Sequence, residues 1–135
     1  MLRLDDGDDV FGQLTDFARR HGIGAAAIVS GIGMFRSATF GYWDGKEYRP
    51  HSLEAPHELV GLHGTIARID EGPSVHLHVA LAGPGHQVIG GHLLRATVGI
   101  LNEIFLETFP GHTFGRPMDE SFGLRRLDLH PGPVR

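Results

Sequence analysis

Four histidines carry the chemistry this chain could perform. His76 and His78 stand one residue apart in the apolar run "VHLHVAL", and His92 follows a glycine pair in "GGHL". In an extended strand, side chains two apart leave the same face, so the first two rings can serve one ion. Gly90 and Gly91 carry no side chain and let His92 come close to a neighbouring strand. Upstream, "HELVGLHGTIARIDEGPSVHLHVALAG" reads as a hairpin whose polar turn runs from Ile69 to Pro73. A turn centred on residues 70 and 71 sets position 63 opposite 78 and position 65 opposite 76, which makes His63 a cross-strand neighbour of His78.

Three neutral imidazoles around a divalent ion, with water or a fourth ligand closing the shell, suit zinc at bond lengths of about 2.0–2.1 Å. Nickel, iron and copper accept similar donors. His63 is the candidate fourth ligand. A lone histidine on an apolar strand is ordinarily a satisfied core residue, and ten histidines in 135 positions make chance pairs common. The metal reading therefore rests on the combination of H-x-H, GGH and the opposed His63.

Other chemistry is thinner. Glu58 could move a proton, although a strand-edge ion pair is the plainer role. "GPGHQVIGG" lacks the spacing and lysine of a phosphate-binding loop. No G-x-S-x-G elbow occurs, and Ser30 in "VSGIG" suits a strand end. With no cysteine there is neither a disulfide nor a thiolate nucleophile, and any metal must be held by His, Asp or Glu.

The elements that must position these residues can be read in part. "MLRLD" suits a short strand, followed by a helix in "GDDVFGQLTDFARRHG" whose Val10, Leu14, Phe17 and Ala18 share a face. Asp8 or Asp9 caps its start, Arg19, Arg20 and His21 complement its end, and Gly22 stops it. Strand signals follow in "AAAIVSGIG" and in "FRSATFGYWDGKEYR", which turns at Asp44-Gly45. Tyr42 and Trp43 are expected to cover core or a subunit contact. "LLRATVGILNEIFLETF" fits a helical and a strand period equally. "ESFGLRRLDLH" suits a final bulged strand. One domain is expected over residues 1–135, with a core of 1–129 and a tail from 130 to 135.

The charge balance is 12 Lys+Arg against 16 Asp+Glu, a formal −4. Such a field repels a polyanion. The start of the chain shows no apolar leader and no segment reaches the about 20 apolar residues of a membrane span, so a cytoplasmic location is expected.

The series "IVSGIG", "HELVGLHGTIA", "VHLHVAL" and "GGHL", in this order, resembles the PPC (plant and prokaryote conserved) domain over residues 1 to 129. The resemblance implies an α+β fold in which one helix packs on a largely antiparallel sheet, makes residues 95–108 strand, and implies a homotrimer. It also implies a histidine metal site at His76, His78 and His92, with His63 beside them. Single-domain prokaryotic members are often described as DNA-binding, which makes duplex DNA the alternative partner, with Arg19, Arg20, Arg125 and Arg126 as its contacts. Here "FGRPMDE" places Phe114 where an AT-hook core has its first arginine, followed by two acids, and a trimer would carry three times −4. A metal-dependent hydrolase, with Glu58 as proton shuttle, is the second alternative.

Overall fold

The computed structural model describes residues 1–133, with side chains through residue 128. The chain runs β1 (Leu2–Asp5), α1 (Val10–Arg20), β2 (Ala26–Trp43), β3 (Tyr48–Leu53), β4 (His57–Ile69), β5 (Gly72–Ala82), β6 (Val88–Thr108), β7 (His112–Gly115), β8 (Met118–Asp119), β9 (Leu124–Arg125) and β10 (Asp128–Pro133). The main sheet is ordered β10-β7-β4-β5-β6-β2-β3, with β1 on β6 and a further pairing of β4 with β2. That last pairing closes β4, β5, β6 and β2 into a ring, which removes the free edges these long strands would otherwise present. Every ladder is antiparallel except the single Arg68–Gly115 contact between β4 and β7.

Helix α1 begins where Asp9 accepts from the amides of Phe11 and Gly12, and its chain leaves through Gly22 at φ 62°. Val10, Leu14 and Ala18 are buried, and the helix packs on β5 and β6. The core beneath it joins Phe35, Leu62, Ile66, Leu77, Leu81, Leu93, Val98 and Ile104, so the strands that carry the histidines are also those that hold the core.

The segment with two competing periods is one strand, β6, of 21 residues. It is held along its length by β2 and near its end by β1, and these distant ladders decide a choice that local periodicity leaves open. The expected single strand over "ESFGLRRLDLH" does not form. Asp119 accepts from the Ser121 amide and hydroxyl, and Gly123 takes φ 65°, so residues 120–123 turn and β8 pairs back on β9. Strand β10 then starts at Asp128 and pairs with β7 as far as Pro133, into the stretch expected to be a tail. Val134 and Arg135 lie outside the described residues. Tyr42 is 74% exposed and covers no core within this chain, while Trp43 meets the edge of Tyr48.

Candidate metal centre

The hairpin has the register its turn predicts. Ile69 pairs with Gly72 around Asp70 and Glu71, which sets Thr65 opposite His76 and His63 opposite His78. On the other side of β5, His78 pairs with His92 of β6. His76, His78 and His92 thus rise from two adjacent strands on one face, and Leu77 and Val79 turn to the core between them. Their ring centroids lie 4.9–5.2 Å apart. One nitrogen from each falls within 4.8 Å of the other two. Tyr48 stacks on His92 at 4.5 Å and 14°, which fixes that ring's plane.

His63 keeps its register but does not join the group. The strand order β4-β5-β6 puts it two spacings from His92, roughly 9–10 Å. Its ring lies along its own strand instead, with Cε1 over Gly61. Glu58 pairs with Ala82, four residues beyond His78 and so roughly 13 Å along the strand. No carboxylate stands beside the three imidazoles among the described residues.

The sequence reading missed Arg116. It is only 7% exposed, its Nη2 donates to Thr65 Oγ1, and its Nη1 donates to His76 Nδ1 at 3.1 Å. Its backbone is held from two sides, with its amide donating to the Arg68 carbonyl at 3.0 Å and its own carbonyl accepting from Arg125 Nη1 at 3.0 Å. Nothing local signals this role, because Thr65 and His76 lie 51 and 40 residues away.

A guanidinium only donates, so His76 Nδ1 accepts and the His76 proton sits on Nε2, donated to His92 Nδ1 at 3.1 Å. Burial, then the Arg116 charge, then His92 and His78, hold the His76 pKa down at about 4. Burial, His78 and Arg116 lower His92 as well. Both rings are therefore neutral at pH 7 and have lone pairs to give.

The donor set fits a metal. With bonds of about 2.0–2.1 Å, two nitrogens on a tetrahedral zinc lie about 3.3–3.4 Å apart. The 3.1 Å between His76 Nε2 and His92 Nδ1 is close to that edge, and exposed His78 leaves the outer side open for a fourth ligand.

A lowered histidine pKa makes acid destabilising. Between pH 6.5 and 4 the unfolded chain protonates His76 while the folded chain does not, so stability falls as pH drops through that window. Discounted for solvent screening, the metal-free protein should lose on the order of 1–2 kcal/mol between pH 7 and 4.5. Urea unfolding in the presence of a chelator measures it, and His76→Ala should remove most of that slope.

Residues 1–110 match the sequence profile of the Plants and Prokaryotes Conserved (PCC) domain. The chain belongs to that family. Among PCC-like structures, a metal-containing protein from Archaeoglobus fulgidus is 40% identical, with a TM-score of 0.85 over 93% of this chain and 89% of that one. A protein from Ralstonia eutropha JMP134, named as a candidate DNA-binding protein, is 33% identical, with a TM-score of 0.88 over 95% and 89%. The bifunctional protein GlmU of Synechococcus sp. (strain JA-2-3B'a(2-13)) is 31% identical over 134 residues, and the PCC chain spans only 20% of its length. No helix among the described residues is long and apolar enough to cross a membrane.

Proposed function

We propose that this PCC domain, taken as one unit over the whole chain, is a cytoplasmic homotrimer that binds a divalent metal, zinc in the first instance, in a regulatory or binding role. His76, His78 and His92 would be the ligands. The observation that carries the reading is the convergence of three imidazole nitrogens within 4.8 Å on a face where two of the rings are held neutral. The metal-containing A. fulgidus relative supports it. Self-association is supported by Val29 and Ile32 on β2, Val60 on β4 and Phe105 on β6, apolar side chains exposed on neighbouring strands.

The DNA reading draws on the R. eutropha relative. The arginines it needs are already engaged: Arg19 pairs with Asp16, Arg126 with Asp119, and Arg20 donates to the Asp16 carbonyl. A hydrolase is disfavoured by the distance of Glu58 from the histidines.

Untagged protein should carry about one zinc per chain and sediment at about three times 14.7 kDa. The His76→Ala, His78→Ala double variant should lose the zinc. Near-zero metal in both proteins, even after incubation with zinc, overturns the metal reading, and a monomer overturns the trimer.

A further inference from the structure

Arg116 is a buried cation for which the described residues show no ion pair. It is 7% exposed, its Nε has no hydrogen-bond partner, and none of the ion pairs among the described residues includes it. Burying a charge in that state is costly unless something compensates it. Imidazole is an uncharged ligand, so a dication held by His76, His78 and His92 would add two positive charges and no negative one. A metal loaded here would leave a half-buried site short of an anion.

Hydrogen-bond chemistry sharpens the point. When a neutral His76 gives its Nε2 lone pair to a metal, its proton moves to Nδ1 and that nitrogen can no longer accept from Arg116. Metal-bound imidazoles ordinarily donate this N–H to a carboxylate, carbonyl or water. Here it would face a guanidinium, donor against donor. Loading must therefore release Arg116 from His76, while Thr65 still holds its other end. The released N–H groups need an acceptor.

Space for one lies alongside. A cavity of about 410 Å³ opens at this point, lined by His76, His92, Arg116 and Arg125 on its polar side and by Phe11 and Leu124 on its apolar side. That volume falls within the roughly 300–1,000 Å³ of small-ligand sites. Leu93 and Leu94 extend the apolar wall, which suits an organic body better than a bare inorganic ion.

We propose that the loaded site binds a small carboxylate with an apolar body, its head group shared between the metal's open position and Arg116 and its body in the cavity beside Phe11 and Leu124. The proposal rests on the metal reading above. Arg116 then serves the site twice, occupying His76 when metal is absent and receiving the anion when metal is present. Metal and carboxylate would bind cooperatively, each strengthening the other by the same factor.

Phenylacetate, its neutral amide phenylacetamide and inorganic phosphate are the probes, titrated calorimetrically into zinc-loaded and metal-free protein. Phenylacetate should bind the loaded protein about tenfold or more tightly than the amide or phosphate, and saturating phenylacetate should raise zinc affinity by a matching factor. Zinc-loaded Arg116→Met should lose most of the preference over the amide. If that variant does not fold, the mutual strengthening of zinc and phenylacetate in the unaltered protein decides the matter. Zinc binding with no preference for phenylacetate over its amide, or with phosphate equal to it, overturns this proposal alone. A preference undiminished in a folded Arg116→Met protein also overturns it, and failure of zinc to bind overturns the metal reading and this proposal together.

Discussion

Replacing His78 with alanine lowers zinc affinity by about 10²- to 10³-fold and leaves folding stability within about 0.5 kcal/mol of the unaltered protein. The stability half of this expectation follows from exposure. The His78 ring stands exposed on the outer face of β5 between core residues Leu77 and Val79, and the hydrogen bonds of the site run instead between Arg116, His76 and His92. The affinity half follows from sharing. Structural zinc sites bind with about 10–16 kcal/mol over four donors, or about 2.5–4 kcal/mol per donor, and each 1.4 kcal/mol is tenfold. His76→Ala should weaken zinc by a similar factor but also destabilise the fold by about 1–3 kcal/mol, because Arg116 loses an acceptor it holds while buried. His63→Ala separates the two ligand sets. With its ring over Gly61, its loss should change zinc affinity by less than about threefold, whereas a loss comparable to that of His78→Ala would make it a fourth ligand. Competition against a chromophoric chelator measures all three.

What was legible in the sequence was whatever depends on neighbours along the chain. The hairpin turn at Asp70 and Glu71 is announced by Gly72-Pro73 and the strand alternation on either side, and that register alone pairs 63 with 78 and 65 with 76. Helix α1 is bracketed by Asp9 and Gly22, each acting through backbone groups within three residues or by its own φ. Pairings between distant strands were not legible. The 18 residues of β2 share their length among β4, β6 and β3, and the closure of β2 on β4 leaves no periodic mark in either strand. The third imidazole was legible because Gly90-Gly91 mark a close approach, while the place of His63 was half legible. Register told which residue it faces, but strand order told that it lies on the far side of β5 from His92. Arg116 left no local trace, since its partners come from β4 and β5. In the C-terminal stretch, apolar alternation suggested one strand, and the turn made by Asp119 and Gly123 overrode it.

Strand spacing gives the second large effect, and it touches no ligand. Gly90→Ala should cost about 3 kcal/mol or more of stability and carry zinc affinity down with it. A Cβ at Gly90 would collide with the Val79 carbonyl oxygen and stand 3.0 Å from the Ala80 Cα, both backbone atoms that cannot rotate aside. Strand β6 must therefore lift from β5 where Gly90 pairs with Ala80 and Gly91 with Val79, one pair before His92 meets His78. The nitrogens that stand 3.1 Å apart across this junction would separate with the strands. Gly61→Ala is the matched control on β4, because the nearest atoms to its Cβ are His63 Cε1 at 3.8 Å and the Ala80 Cβ at 4.0 Å, ordinary contact distances. That variant should stay within about 0.5 kcal/mol in urea unfolding and keep its zinc affinity. A Gly90→Ala protein that unfolds and binds zinc as the control does would mean that the imidazoles reach a common point without the close approach of β5 and β6. The geometric basis assigned here to the metal centre would then be wrong, although the three ligands would stand.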